Sequence, residues 1–185
     1  MLPRMSHGTG PLLPLIERFD AAEYRLCRRL NRGADWRPLR ALLGAASRAG
    51  DGAVWYALLL ALPLAFGTVA VRPALVMAAT GLAGLILYRW LKHRFVRERP
   101  FIRHRGISLA AVPLDRYSFP SGHTLHAVSF TWQAVAFAPD LGLVLLPLAM
   151  LIAASRVVLG LHYPTDVLAG AVLGAMLGAT GVALA

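Results

Sequence analysis

Five apolar runs lie between residues 53 and 185, and the polar segments that separate them are short except for residues 92–121. They extend over roughly residues 53–71, 73–91, 122–138, 141–155 and 166–185. A helix needs about 20 apolar residues to cross the hydrocarbon core of a bilayer, and several of these runs are at the short end of that length. The pattern predicts an all-α fold, a polytopic membrane helical bundle with about five transmembrane helices.

The N-terminal part has a different pattern, in which apolar and basic residues mix at helical spacing over residues 16–48. Seven arginines lie between the apolar positions: Arg25, Arg28, Arg29, Arg32, Arg37, Arg40 and Arg48. No stretch here is long enough to span, so the pattern favours one or two interfacial amphipathic helices over a helix packed on a partner domain. Residues 1–15 contain proline and glycine and are predicted to be loose. We therefore predict an N-terminal interfacial amphipathic segment, 1–50, and a membrane-embedded domain, 51–185.

Composition supports a membrane protein, since 57% of the 185 residues are hydrophobic and the mean hydropathy is +0.59. A net charge of +10 in so apolar a chain suggests anionic lipid rather than nucleic acid as the partner. The single cysteine, Cys27, excludes an internal disulfide and is expected to be a packed or surface thiol rather than a reactive one. Residues 1–20 lack the apolar core and cleavage site of a signal peptide.

The cations are distributed unevenly between the two ends of the predicted bundle. With five spans, segments 1–52, 92–120 and 156–165 share one face and hold nearly every cation, whereas Arg72 lies on the other face. The positive-inside rule then places the first face toward the cytoplasm. We expect a multi-pass protein of a bacterial-type inner (plasma) membrane.

Lys92 and Arg99 are seven residues apart, and Pro100 follows. Seven residues make two helical turns, so both cations lie on one face if the helix extends to Pro100, where proline ends it. This spacing suits a site that holds an anion. The alternative is a positive run that flanks the membrane, because further arginines crowd the same stretch: Arg94, Arg97, Arg103 and Arg105.

A second motif, Pro120-Ser121-Gly122-His123, precedes the third apolar run. Ser121 is a good helix N-cap, and Gly122 allows a ligand to approach the backbone closely. The free N–H groups of a first helical turn favour an anion, and His123 is placed beside it. His126 shares that helix face and is expected to be a packing residue.

The third motif combines Ser155-Arg156 with His162 and Asp166. Arg156 offers a fork that can hold two phosphate oxygens, and Pro164 can open the last helix. Asp166 can accept a hydrogen bond from one ring nitrogen of His162 and so present the other as a nucleophile. The alternative is a structural His/Asp pair beside the membrane.

Together these motifs resemble the three-part signature of the type-2 phosphatidic acid phosphatase family, which shares its core with the vanadium haloperoxidases. The resemblance covers about residues 50–185, with all three parts complete and in order. It implies a helical bundle with the site at the membrane interface. Family members commonly have six spans, whereas this chain has an amphipathic segment where their first span lies.

Carried over by residue, the resemblance implies that His162 is a nucleophile forming a phospho-histidine, oriented by Asp166, and that His123 protonates the leaving group. The phosphoryl oxygens would be held by Lys92, Arg99, Ser121, the Gly122 N–H and Arg156. Cations and a helix N-terminus can stabilise a phosphoryl transition state without a metal. No carboxylate cluster suited to Mg²⁺ lies near the motifs, so no metal or cofactor is expected.

The resulting prediction is an integral membrane lipid phosphatase that hydrolyses a phosphomonoester or diphosphate. Candidate substrates are phosphatidic acid, phosphatidylglycerol phosphate and undecaprenyl diphosphate. The main alternative is a lipid phosphotransferase, because its first half-reaction is the same. Two further alternatives are a vanadate-dependent haloperoxidase and a non-enzymatic membrane protein. The predicted partners are a membrane lipid phosphate and the bilayer, without nucleic acid, and the oligomeric state stays open.

Overall fold

The computed structural model describes residues 13–185 and is helical. Its helices are α1 (Leu13–Asn31), α2 (Arg37–Ala49), α3 (Ala53–Phe66), α4 (Val71–Phe95), α5 (Pro100–Arg103), α6 (Gly122–Phe137), α7 (Gly142–Val158) and α8 (Pro164–Leu184). Within these described residues no strand forms, and an isolated bridge joins Glu98 and Tyr117. The predicted all-α fold is confirmed.

The five apolar runs correspond to α3, α4, α6, α7 and α8. By length and hydropathy, three stretches of the described chain can cross a membrane: Ala53–Phe95, Pro139–Val158 and Pro164–Leu184. The first of them joins α3 and α4 through a short 3₁₀ turn, Gly67–Ala70. Helix α6 has only 16 residues and is not among the three. The number of crossings and the assignment of faces therefore remain predictions.

The N-terminal segment forms two helices that pack on the bundle. Helix α2 lies along α7, and α1 contacts α7 and α8. Cys27 is fully buried in a cluster with Ile107 and Val157, which is the packed one of the two expected positions, and burial raises its pKa to about 12. Of the segment predicted to be loose, residues 1–12 lie outside the described residues, and the rest begins α1.

Helices α6 and α8 pack closely because α8 presents glycines to its neighbour. A Cβ atom on Gly170 would lie 2.5 Å from the carbonyl oxygen of Ser121, and one on Gly178 would lie 2.7 Å from Cβ of Trp132. Gly170 and Gly178 are eight positions apart and so lie on one face of α8. Small residues on one helix face let two helix backbones approach each other. This approach brings the first turns of both helices together, where the Ser121 N–H donates to the Asp166 carbonyl over 3.0 Å.

The three motifs meet at one end of the bundle. The last turns of α4 and α7 lie there with the first turns of α6 and α8, and the connection between α2 and α3 covers them. At the opposite end, Arg72 donates to the carbonyl oxygen of Leu184 over 3.0 Å. The described parts of the segments that the sequence placed on one face, residues 13–52, 92–120 and 156–165, therefore share an end.

Candidate active site

Lys92 and Arg99 converge, but not by sharing a helix face. Helix α4 ends at Phe95, because Val96 has a left-handed backbone conformation with φ of 48°. The expectation of a helix reaching Pro100 is therefore wrong. Both buried cations instead approach Asp115: Lys92 Nζ is 3.0 Å and Arg99 Nη2 is 2.7 Å from its Oδ1.

Asp115 belongs to the irregular segment between α5 and α6 and was not predicted to take part in the site. Burial alone would raise the pKa of its carboxyl group, but Lys92 and Arg99 hold that pKa below its ordinary value. The group is therefore ionised at neutral pH. Lys92 and Arg99 thus share one anionic oxygen between them, as two phosphate ligands would.

His162 is buried beside Arg99, with its Nε2 3.2 Å from Arg99 Nη1. A guanidinium group only donates hydrogen bonds, so Nε2 must accept and the ring proton must be on Nδ1. Burial, followed by the positive charges of Arg99, Arg156 and Lys92, lowers the pKa of His162 well below its ordinary value. The imidazole is therefore neutral, with the lone pair of Nε2 facing the cations.

Asp166 lies on the other side of the His162 ring. Its Oδ2 is 3.6 Å from His162 Nδ1, too far for the hydrogen bond that we expected. The carboxylate is already engaged: Oδ2 accepts the Tyr163 N–H over 2.8 Å, and Oδ1 accepts from Arg97 Nη1 over 2.6 Å. Helix α8 begins at Pro164, as predicted, and so places Asp166 in its first turn.

Arg97 connects Asp166 to the N-terminal segment. Its Nη2 is 2.5 Å from Oε2 of Glu23 on α1, and the other oxygen of Glu23 accepts from the Thr165 N–H over 3.0 Å. Glu23 and Asp166 are both buried. The orientation of Asp166 therefore depends on a chain of ion pairs that starts on α1.

Helix α6 begins as the sequence predicts. Ser121 is its N-cap, and its fully buried hydroxyl accepts from the Thr124 N–H. His123 in the first turn has its Nε2 2.6 Å from Oδ1 of Asp51, at the connection between α2 and α3. His126 packs instead, with Nε2 3.0 Å from the carbonyl oxygen of Gly81.

Arg156 is buried in the last turn of α7. Its Nη1 donates to the hydroxyl of Ser47 on α2, while its Nε has no hydrogen-bond partner in the structure. A buried guanidinium N–H without a partner is costly, and a ligand oxygen would satisfy it. Arg156 thus has donors available for an anion.

Sequence reasoning assigned no role to Glu23, Ser47, Asp51, Arg97 or Asp115. Glu23 carried one signal, since it is an acid in a segment otherwise rich in arginine. Arg97 was one of several arginines in a run of cations, and nothing in the sequence distinguished it from its neighbours. Within residues 13–185, no group of three or more His, Cys, Asp or Glu side chains is arranged to hold a metal ion.

Two curated bacterial proteins are similar in sequence to this chain. Undecaprenyl-diphosphatase of Bacillus subtilis is 32% identical over 68% of this chain and 65% of its own length. Decaprenylphosphoryl-5-phosphoribose phosphatase of Mycobacterium tuberculosis is 38% identical over 48% of each chain. The matched part of this chain thus spans less than two thirds of either relative.

The fold has a counterpart among solved structures. The crystal structure of Aquifex aeolicus LpxE matches with a TM-score of 0.75 and 28% identity, over 86% of this chain and 93% of that one. The sequence profile of the PAP2 superfamily matches residues 70–184, which include all three motifs. Since that match covers more than half of the chain, this protein belongs to the PAP2 superfamily.

Proposed function

We propose that this protein is a metal-independent membrane lipid phosphatase that acts through a phospho-histidine on His162. The observation that carries the proposal is the position of His162 Nε2, which is buried, unprotonated and 3.2 Å from Arg99. Lys92 and Arg156 add positive charge around the same ring. A nucleophile surrounded by cations suits a phosphoryl group, whose three equatorial oxygens carry negative charge in the transition state.

In the first half-reaction, Nε2 of His162 attacks phosphorus and the bond to the leaving oxygen breaks. Asp166 stabilises the positive charge that develops on the ring, from 3.6 Å away. His123 gives a proton to the leaving oxygen, and Asp51 holds its ring in place. The phosphoryl oxygens take over the N–H donors of Lys92 and Arg99 from Asp115 and engage Arg156.

In the second half-reaction, water attacks the phospho-histidine and the bond between phosphorus and Nε2 breaks. His123, now neutral, accepts a proton from that water, and inorganic phosphate leaves. In this scheme, cations of the protein stabilise the negative charge on the phosphoryl oxygens. The proposal therefore includes independence from Mg²⁺, which a chelator tests directly.

A lipid substrate is supported by an apolar cleft beside the proposed acid. The cleft has a volume of about 330 Å³, lies between α3, α4 and α6, and includes Asp51 in its wall. Its other walls are largely apolar and include Trp55, Leu59, Leu82, Leu85 and Phe130. A hydrocarbon tail can lie there with its headgroup beside Asp51, which contacts His123. The B. subtilis relative is named for a polyprenyl diphosphate, and we propose a lipid phosphomonoester or diphosphate for this chain.

The test is phosphate release by purified protein in detergent with EDTA, from phosphatidic acid, phosphatidylglycerol phosphate and undecaprenyl diphosphate. We expect release from at least one lipid, undiminished by EDTA. His162→Ala should reduce it by at least about a thousandfold, and His93→Ala, at an exposed histidine of α4, should leave it unchanged. Near-normal turnover in His162→Ala would refute the mechanism. Phosphate transfer that requires an added acceptor would indicate a phosphotransferase.

A further inference from the structure

A large cavity lies between α2 and the irregular segment before α6. Its volume is about 740 Å³, and one wall is formed by the apolar residues Ala110, Ala111, Val112 and Leu114. The opposite wall belongs to α2 and its C-terminal end and includes Arg37, Arg40, Gly44, Ser47, Arg48 and Asp51. We refer to this space as the basic cavity.

Three arginines face the basic cavity from one side of α2. Positions 37, 40, 44 and 48 are spaced by three or four residues, which places them along one helix face. Arg37, Arg40 and Arg48 are exposed, and within residues 13–185 no carboxylate forms an ion pair with any of them. Like charges that face one space repel each other, so an anion bound between them would be stabilised.

The inner end of the basic cavity reaches the proposed catalytic groups. Ser47 in its wall accepts a hydrogen bond from Nη1 of Arg156. Asp51 in the same wall is 2.6 Å from Nε2 of His123. A phosphoryl group held by Arg156 therefore has the three arginines on its outer side, along α2.

We propose that the basic cavity binds a second phosphate group of the substrate and so favours lipids with two phosphates over lipids with one. This inference rests on the proposed function. Guanidinium forks bind phosphate oxygens in pairs, which suits them better than lysines to such a site. From Arg48 to Arg37 the helix rises about 16 Å, enough to reach either a directly linked phosphate or one beyond a small linker. The two curated relatives are both named for lipids that contain two phosphate groups.

The test compares two polyprenyl lipids of equal chain length, one a monophosphate and the other a diphosphate, in uncharged detergent. The quantity measured is the ratio of kcat/KM for the diphosphate to kcat/KM for the monophosphate. Arg40→Gln with Arg48→Gln should lower this ratio about tenfold, mainly through KM of the diphosphate. Arg25→Gln with Arg29→Gln is the matched control, since it removes the same charge from exposed positions of α1 that do not line the cavity.

A second variant tests the space rather than the charge. A Cβ atom on Gly44 would meet nothing within 4 Å, so Gly44→Phe can extend into the basic cavity without a clash at its base. We expect it to lower the same ratio while every arginine remains. Circular dichroism and the thermal unfolding midpoint show whether each variant is folded.

An unchanged ratio in both cavity variants would overturn the proposal. The ratio would also be unchanged if the arginines bound only the anionic lipid of the membrane. In that case, adding anionic vesicles would change kcat/KM for the diphosphate and for the monophosphate by the same factor. If the wild-type protein releases phosphate from neither these lipids nor the panel above, the proposed function itself fails and the second-phosphate site falls with it. Release by the wild type with an unchanged ratio rejects the second-phosphate site alone.

Discussion

Arg156 is the buried cation whose hydrogen-bonding capacity is least used. Its guanidinium contacts Ser47 through one nitrogen, and its Nε has no hydrogen-bond partner among residues 13–185. By contrast, Arg99 is held by the backbone carbonyls of Asp115 and Leu161 as well as by the Asp115 carboxylate. Arg99 is thus fixed by the protein, whereas Arg156 has donors free for substrate.

We predict that Arg156→Lys keeps the charge but loses the fork, so that kcat/KM falls about a hundredfold. A lysine ammonium cannot hold two phosphoryl oxygens in one plane while it also reaches Ser47. Steady-state kinetics on the best lipid of the panel would measure the loss. Arg29→Lys, at an exposed position of α1 that does not line the basic cavity, is the comparison for a change of cation type away from both proposed phosphate sites. Wild-type kinetics in Arg156→Lys would mean that Arg156 does not bind phosphate through a fork.

At the scale of elements, the N-terminal helices contribute more than their amphipathic pattern indicated. Helix α1 supplies Glu23, which binds both Arg97 and Thr165, and α2 supplies Ser47, which binds Arg156. The connection after α2 supplies Asp51 to His123. Both helices and the connection lie entirely before residue 70, where the superfamily match begins. The segment therefore supports the site from outside the matched region.

Glu23 is a positioning residue in this scheme, because it acts on Asp166 only through Arg97. We predict that Glu23→Gln lowers kcat about tenfold and leaves KM within about twofold of the wild-type value. The reason is that Asp166 is held less firmly beside His162, whereas the residues that bind the phosphate are unchanged. Glu17→Gln, at an exposed site on the same helix, should have neither effect.

A purely structural role for Glu23 would give a different result. The thermal unfolding midpoint of Glu23→Gln would fall, and kcat of the folded protein would stay at the wild-type value. Measuring both quantities on one preparation separates the two roles. Arg97→Gln combined with Glu23→Gln should be no worse than Arg97→Gln alone, because the two residues form one chain of contacts.

At the scale of the whole molecule, the sequence predicted the helical bundle and the residues that meet at one end of it. It could do so because hydropathy marks long helices and because Ser121 and Pro164 mark helix starts. The end of α4 was missed, since no proline or glycine marks the left-handed turn at Val96. Asp51, Asp115 and Glu23 were missed because their partners are distant in sequence, and only the packing of the helices brings them together.

The proposed mechanism requires that a phosphoryl group becomes covalently attached to His162 during each turnover. Purified protein should be mixed with lipid substrate labelled in its terminal phosphate, in EDTA, and quenched within milliseconds. We predict a phosphoryl group on the protein that survives base, is lost in acid and maps to the peptide containing His162, and that is missing from His162→Ala. Phosphate release by wild-type protein without such a labelled peptide, under quenching fast enough to precede one turnover, would contradict the account.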